Sequence, residues 1–322
     1  MTFSRDAVES ARQAVHAVMP PTPQYAWPLL QQRLGIPVWV KHENHTPAGA
    51  FKVRGGLTYF ARLVADQPAV RGVVCATRGN HGQSVGFAAR RHGIAATIVV
   101  PHGNSVEKNA AMQALGVTLI EHGSDFQEAR EHALSLADQH SLHMVPSFHD
   151  DLILGVMSYW VEFFESFVRG QEPEVVYVPI GQGSGFCAAA AARAHTGARS
   201  ALVGVVSAHA TTYLDSFRAG TVVAAPVSTV LADGMACRIA DPEALEIVLR
   251  DADSIVAVTD DEVAGAMRVL FADTHNVAEG AGAAALAAAM QQRDRLQGKS
   301  VGIALTGGNV DSAMFARVLA GA

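Results

Sequence analysis

Short apolar runs alternate with longer segments of helical period along most of the chain. Each run is four or five residues long and ends at a polar or turn-forming residue, as buried strands do. The runs predict strands at 38–41, 72–76, 97–100, 118–121, 175–178, 202–206, 255–258 and 301–305. Strands that are apolar on both faces and separated by helices indicate parallel sheets covered by helices. The pattern therefore predicts an α/β fold.

The predicted helices begin and end at ordinary capping and breaking residues. Ser4 is placed to cap a first amphipathic helix, which Pro20 and Pro21 end. Further helices are predicted at 53–66, 82–92, 105–115, 125–140 and 152–167, followed by one ending at 195, one starting at 260 and one after 279. The chain contains no repeat of solenoid period and no low-complexity linker, and its length suits two domains or one large α/β unit.

Composition and charge narrow the possible functions. Of the 322 residues, 49% are hydrophobic and 17% charged, so the chain can bury a full core. A net charge of -6 argues against a nucleic-acid or anionic-membrane partner. The N-terminal segment lacks the apolar stretch of a signal peptide, and no apolar run is long enough to span a bilayer. Cys75, Cys187 and Cys237 are widely spaced, as in a reducing compartment, so we expect a cytoplasmic protein.

Lys52 is the first candidate for chemistry. It follows an aromatic residue, Phe51, in a glycine-rich segment and directly precedes the helix predicted at 53–66. Burial and a positive helix end both favour a neutral amine, which a Schiff-base lysine requires. A lysine in such a segment is more often a solvated surface residue, so this segment alone does not establish a site.

Two polar segments follow predicted strands, and each opens a helix. The segment 77–84 reads Thr-Arg-Gly-Asn-His-Gly-Gln-Ser, and with Thr77, Asn80 and free backbone N–H groups it can form a cradle for a carboxylate. Taken alone, ordinary helix capping explains it better. Near the C-terminus, Thr306 begins a Thr-Gly-Gly-Asn segment directly after the strand 301–305. There a plain turn is as good an explanation as a functional hydroxyl.

A glycine loop at 181–185 follows the strand 175–178. Glycines let backbone N–H groups close around a phosphate, and the dipole of the following helix supports its charge. A dinucleotide site would need an acidic residue about 20 positions further on. The next strand instead ends Val206-Ser207-Ala208-His209, without a carboxylate. The loop therefore suits a single phosphate better than a dinucleotide.

Together and in this order, these segments resemble those of the fold type II enzymes that depend on pyridoxal 5'-phosphate (PLP). More narrowly they resemble the serine/threonine dehydratase group, which includes serine racemase and the hydroxyaspartate and phenylserine dehydratases. The resemblance extends over about 21–311, and the segments 232–234 and 278–282 match family segments that border the pocket. It implies a tryptophan synthase β-like fold, with two parallel or mixed sheets covered by helices.

The resemblance also implies roles for individual residues. Lys52 would carry PLP as a Schiff base, with Phe51 near the cofactor ring. Asn80 would bond the ring hydroxyl, and Thr306 would face the pyridine nitrogen. The phosphate would be held by the glycine loop, which consists of Gly181, Gln182, Gly183, Ser184 and Gly185. The substrate would be contacted by Thr77, Arg78, Gly79 and His81.

The activity implied is that of a carbon–oxygen lyase. Lys52, freed from the cofactor by the substrate amine, would take the Cα proton. A neutral hydroxyl at Thr306 favours loss of a β-leaving group over transamination. The expected reaction converts a 3-hydroxy amino acid, threonine-like or serine-like or with a larger β-substituent such as hydroxyaspartate or phenylserine, to a 2-oxo acid and ammonia. An amino-acid racemase, a β-replacement synthase and a PLP-binding carrier without turnover stay open as alternatives.

The chain departs from the family pattern in three places. Arg78 stands where relatives have Ser or Ala, which removes the hydroxyl used by serine racemase. Its guanidinium could grip a second carboxylate, contact the cofactor, cover an aryl ring or point to solvent. Gln182 interrupts the glycine run, and its amide could contact phosphate or face outward. The segment 228–233 lacks the glutamate of the family's cation site, so no metal is expected.

The resemblance finally implies an organisation. Residues 72–147 are expected to form a small mobile domain that closes against a large PLP-binding domain made of 1–71 and 148–322. The expected assembly is a homodimer that takes a small-molecule amino-acid substrate. Because the chain ends soon after Thr306, we expect it to lack the C-terminal regulatory domain of many threonine dehydratases.

Overall fold

The computed structural model describes residues 3–321, in which ten strands and thirteen α-helices alternate. The strands are β1 (Gln24–Ala26), β2 (Val38–His42), β3 (Gly72–Ala76), β4 (Ala95–Val100), β5 (Thr118–Glu121), β6 (His143–Met144), β7 (Val175–Pro179), β8 (Ala201–Ser207), β9 (Ser254–Val258) and β10 (Val301–Leu305). The helices are α1 (Arg5–His16), α2 (Pro28–Leu34), α3 (Lys52–Asp66), α4 (Asn80–Arg91), α5 (Val106–Ala114), α6 (Phe126–His140), α7 (Asp150–Glu165), α8 (Ser184–Thr196), α9 (Thr212–Ala219), α10 (Pro242–Asp251), α11 (Asp260–Thr274), α12 (Gly280–Gln291) and α13 (Ser312–Ala320).

The strands form two sheets. The larger sheet has the order β1-β2-β10-β7-β8-β9, and only its edge strand β1 runs antiparallel to its neighbour. The smaller sheet has the order β5-β4-β3-β6 and is parallel throughout. The strands predicted from apolar runs all lie in these sheets, so the predicted α/β fold with helix-covered sheets is confirmed.

The smaller sheet has its own hydrophobic cluster, which includes Val73 and Ile98. Helix α3, which precedes this sheet in sequence, contributes Tyr59, Phe60 and Leu63 to the same cluster. The strands of the smaller sheet all lie within 72–147, but their core is shared with a helix outside that range. The division into a large and a small mobile domain stays a prediction.

Helix α3 is held at its start by buried charges. Arg54 is fully buried and donates to the carboxylates of Glu43, at 2.7 and 3.0 Å, and of Glu162, at 2.5 and 3.1 Å. Glu162 also accepts from the buried Lys41 at 2.7 Å. Two positive and two negative groups therefore balance each other beneath the first turn of α3, as buried charges require. This cluster fixes the helix end that carries Lys52.

Candidate active site

A single cavity lies where strands of both sheets end and helices begin. The segments that follow β3, β7 and β10 line it, as do the first residues of α3, α4 and α8. Because ligands of parallel α/β sheets bind beyond the carboxyl ends of the strands, this is the expected position of a site. Every residue predicted for cofactor or substrate binding lines this cavity: Phe51, Lys52, Thr77, Arg78, Gly79, Asn80, His81, Gly181, Gln182, Gly183, Ser184, Gly185 and Thr306.

The chain has four lysines, and their environments differ sharply. Lys41 and Lys108 are buried in ion pairs with carboxylates, and Lys299 is exposed. Lys52 forms no ion pair with any residue in 3–321; its Nζ donates to Oγ of Ser184 at 2.9 Å. Burial lowers the pKa of the Lys52 amine to about 8. Of the four, Lys52 is therefore the lysine suited to attack a carbonyl.

Phe51 forms the cavity wall beside this amine. The Lys52 Nζ lies 5.2 Å from the centre of the Phe51 ring, and the ring meets Tyr159 edge to face with centres 6.0 Å apart. The backbone N–H of Phe51 donates to the carbonyl of Thr306 at 2.9 Å, which ties the start of α3 to the end of β10. A flat apolar wall next to the amine fits an aromatic cofactor ring.

The glycine loop leaves a run of backbone donors unused. From Gly181 to Phe186, no N–H group donates to an acceptor elsewhere in 3–321. Gly183 has a φ of 100°, which a residue with a side chain rarely adopts, and it directly precedes helix α8. Successive free N–H groups at a helix N-terminus form an anion site, so the loop fits a single phosphate.

The side chain of Gln182 is turned away from this cradle. Its amide donates to Sγ of Cys237 at 3.5 Å, and the backbone carbonyl of Gln182 accepts from the hydroxyl of Tyr213 at 3.0 Å. Of the two orientations considered from the sequence, contact with phosphate or exposure, the structure shows neither. The side chain instead contacts Cys237, which also lines the cavity.

Asn80 begins helix α4 and is held by residues from the other side of the cavity. Its Nδ2 donates to Oε1 of Glu279 at 2.6 Å, and its Oδ1 accepts from Nδ2 of Asn309 at 2.9 Å. Thr306 also lines the cavity and is buried, with its hydroxyl 3.4 Å from the carbonyl of Ala281. That long contact leaves the hydroxyl free to bond a ligand.

Some polar groups in the residues that follow β3 already form hydrogen bonds within the same segment. The hydroxyl of Thr77 accepts from the N–H groups of Gly79, at 2.9 Å, and Gly82, at 3.3 Å. Its own proton stays available for a substrate carboxylate. His81 is buried, and its Nε2 has no hydrogen-bond partner in the described part of the chain. Burial, reinforced by the charge of Lys52, lowers the pKa of His81 to about 3, so this imidazole is neutral at physiological pH.

Arg78 lies on the cavity wall and is half-buried. Its guanidinium forms no ion pair within 3–321. The two carboxylates that share the wall, Asp233 and Glu279, are both engaged by Lys108, at 2.6 and 3.5 Å. Arg78 is therefore a cation without an ion-pair partner within 3–321, and the carboxylates of the same pocket are already paired with Lys108.

Lys108 is the functional-site residue that sequence reasoning missed. It lies in helix α5, in a pattern typical of a solvated helix face, yet it is buried. Burial opposes its charge, but the carboxylates of Glu279 and Asp233 outweigh that effect and hold the pKa of Lys108 above its ordinary value. No sequence signal marks it, because its partners are more than a hundred residues away.

The residues present fit PLP. They offer an amine that loses its proton readily, an apolar wall, a cradle of free N–H groups, and hydroxyl and amide groups that line the cavity. No group of three His, Cys, Asp or Glu within 3–321 is arranged to hold a metal ion. The three cysteines are buried free thiols.

Comparison with known proteins agrees with this fit. The family model described as pyridoxal-phosphate dependent enzyme matches residues 17–307. The L-threonine ammonia-lyase of Thermotoga maritima is 33% identical over 292 residues, which are 90% of this chain and 72% of that protein. The L-threo-3-hydroxyaspartate ammonia-lyase of Saccharomyces cerevisiae is 29% identical over 301 residues, which are 93% of this chain and 91% of that protein.

Solved structures share the fold over nearly the whole chain. The processed form of threonine deaminase isoform 2 from Solanum lycopersicum superposes with a TM-score of 0.88 at 25% identity and covers 100% of this chain and 95% of its own. A PLP-dependent aspartate racemase superposes with a TM-score of 0.89 at 24% identity, over 96% of this chain and 97% of its own, which shows the fold alone. No helix in the described part of the chain is long and apolar enough to cross a membrane.

Proposed function

Because this chain belongs to the family of pyridoxal-phosphate-dependent enzymes, we propose that it is an ammonia-lyase that removes water and then ammonia from a 3-hydroxy amino acid. The observation that carries the proposal is the juxtaposition of an uncommitted Lys52 amine with the free N–H groups of the glycine loop. Relatives named as threonine and hydroxyaspartate ammonia-lyases support this activity over others of the family.

In this proposal several residues bind the cofactor and the substrate, and Lys52 also transfers a proton. PLP, when bound, supplies the electron sink that makes the substrate Cα proton acidic. Lys52 holds the cofactor and, once released, its amine is the base that takes the Cα proton. The loop 181–185 binds the phosphate and anchors the cofactor, while Phe51 packs against the ring. Thr77 and the N–H groups at the start of α4 bind the substrate carboxylate.

Thr306 sets the outcome of the reaction in this proposal. With PLP bound, its neutral hydroxyl would face the pyridine nitrogen, and the wall carboxylates Asp233 and Glu279 are engaged by Lys108. No free carboxylate in the lining is left to hold a proton on that nitrogen. PLP held in this way would be a weaker electron sink, which would favour loss of the β-hydroxyl as water over transamination.

The test of the activity is a product assay on the PLP-loaded protein. Serine, threonine, hydroxyaspartate and phenylserine stereoisomers are offered separately, and 2-oxo acid and ammonia are measured together. We expect equal amounts of both products from at least one substrate, and none from Lys52→Ala. Inversion at Cα without oxo acid would support a racemase, and product only with an added nucleophile would support a β-replacement synthase. No turnover would support a carrier.

Arg78 is the residue that we propose selects the substrate. Its uncommitted guanidinium favours a β-substituent with a carboxylate, as in hydroxyaspartate, because a planar fork can donate two parallel hydrogen bonds to one carboxylate. For Arg78→Ala we expect kcat/KM on hydroxyaspartate to fall by roughly tenfold to a hundredfold, while serine changes little. Arg78→Lys keeps the charge without the fork and is the matched control, with an intermediate loss. Unchanged relative rates on all four substrates would contradict this role.

The assembly and the movement of the chain complete the proposal. We propose a cytoplasmic homodimer in which 72–147 moves relative to the rest. The contacts between 72–147 and the rest include polar ones that a small movement can break, such as Arg238 with Asp125 at 2.8 Å and Glu107 with Ser312 at 2.6 Å. Sedimentation equilibrium tests the dimer, and small-angle scattering with and without substrate tests the movement.

A further inference from the structure

The side-chain amide of Asn80 is fixed from both ends. Asn309 uses its Nδ2 to donate to Oδ1 of Asn80 and to the carbonyl of Ala48, both at 2.9 Å. At the other end, Glu279 accepts one N–H of Asn80 at 2.6 Å. An amide nitrogen carries two hydrogens, so one N–H of Asn80 is left over. No acceptor in 3–321 takes it, and Asn80 lines the cavity.

The carboxylate of Glu279 is itself fixed. It is buried, and it precedes helix α12, whose N-terminus favours negative charge. Its second oxygen lies 3.5 Å from Nζ of Lys108, which also donates to Asp233 at 2.6 Å. That oxygen has no hydrogen-bond partner within 3–321, and the nearby ammonium, which can only donate, favours an acceptor on this side of Glu279. The other oxygen presents an acceptor to Asn80.

We propose that Glu279 is a positioning residue that orients the Asn80 amide so that its remaining N–H points at the cofactor ring, and that Lys108 holds Glu279 in place. This rests on the proposed function, in which Asn80 bonds the ring hydroxyl of PLP. A donor in that position stabilises the ionised ring oxygen. Loss of the donor shifts the bound Schiff base from its visible-absorbing form toward the uncharged form that absorbs in the near ultraviolet.

Glu279→Gln tests this orientation specifically. The new amide has one oxygen for two donor neighbours, Lys108 and Asn80. Because the Lys108 ammonium is charged and the Asn80 amide is neutral, we expect the oxygen to turn to Lys108, which leaves the NH2 group of the new amide facing the NH2 group of Asn80. We expect the ratio of visible to near-ultraviolet absorbance of bound PLP to fall at least threefold. We also expect the Kd for PLP to rise by roughly tenfold, the loss of one hydrogen bond to a charged group.

A double variant tests whether Glu279 acts by orienting the Asn80 amide or only by stabilising the fold. In the double variant Lys108→Met, Glu279→Gln, no ammonium holds the amide oxygen, so that oxygen can turn back to accept from Asn80. We expect the absorbance ratio to recover at least in part, although the protein loses a second polar contact. Asp273→Asn is the matched control, because Asp273 is another buried carboxylate, paired with Arg33 at 2.7 Å away from the cavity lining. That variant should lower the melting temperature and leave the absorbance ratio unchanged.

Asn80→Ala distinguishes failure of this inference from failure of the proposed site. If Asn80→Ala leaves the absorbance ratio unchanged, the assignment of Asn80 to the ring is wrong. If Asn80→Ala lowers the ratio but Glu279→Gln does not, Glu279 does not position Asn80 and the inference is overturned. Should Glu279→Gln fail to fold, Lys108→Met removes the ammonium that is proposed to hold Glu279 in place. A normal ratio in that variant would overturn the part of the inference that assigns this role to Lys108, and a lowered ratio would support it.

Discussion

The pH dependence of cofactor loading follows directly from the environment of Lys52. Only the neutral amine attacks the PLP aldehyde, and burial lowers the pKa of this amine to about 8. At pH 7 roughly one molecule in eleven is then neutral, against roughly one in 3,000 for the ordinary value of 10.5. The reactive fraction is therefore about 300 times that of a solvated lysine at this pH.

Because burial lowers the pKa of Lys52, its loading with PLP should become faster as the pH rises. The loading rate constant should rise about ninefold from pH 6 to 7 and about fivefold from pH 7 to 8, and above about 8 it should level off. Stopped-flow mixing of apoprotein with PLP measures the rate through the visible absorbance. Nα-acetyl-lysine amide, whose one amine is the ε-amine, is measured in parallel in free solution and cancels the ionisations of PLP itself. A ratio of the protein rate to the free-amine rate that stays constant from pH 6 to 10 would refute the lowered pKa.

Two other substitutions test the phosphate-binding loop 181–185 and the buried charges that hold the start of α3. In Gly181→Ala the new methyl group meets a backbone carbonyl, so we expect the Kd for PLP, measured by fluorescence titration, to rise at least tenfold, whereas Gly265→Ala on helix α11 leaves it unchanged. Arg54→Leu leaves the buried Glu43 without its cation and Glu162 with Lys41 alone, and it should lower the free energy of unfolding by about 3–5 kcal/mol. Arg62→Leu, which breaks an exposed pair on the same helix, should cost less than about 1 kcal/mol in the same denaturant titration. Equal losses would contradict the buried-charge account.

The sequence predicted the parts of the fold that have a strong local pattern. The buried parallel strands are apolar throughout, so they were found; β1 and β6 have three and two residues and give no pattern of their own. Helix α10 was missed although Pro242 follows the capping residue Asp241, a recognisable start signal. Helices α9 and α13 are eight and nine residues long, too short for a clear period.

The site was predicted where chemistry resides in contiguous segments. Lys52, Asn80 and the glycine loop each lie at the end of a strand or the start of a helix, so their positions follow from the α/β pattern. The contacts that join Asn80, Glu279 and Lys108 could not be predicted, because only the packing of the two sheets brings these side chains together. The contact of the Gln182 side chain with Cys237 also depends on a residue distant in sequence, and so it escaped local reasoning.

The central claim is that Lys52 alone among the four lysines carries PLP. Reduction of the PLP-loaded protein with borohydride fixes the Schiff base, and mass spectrometry of its peptides then locates the adduct. The account predicts one adduct per chain, on the peptide that contains Lys52, because Lys41 and Lys108 are engaged by carboxylates in buried ion pairs and only Lys52 lines the cavity with a free amine. An adduct on Lys108 or Lys299, or no adduct in a protein that still forms 2-oxo acid, would contradict it.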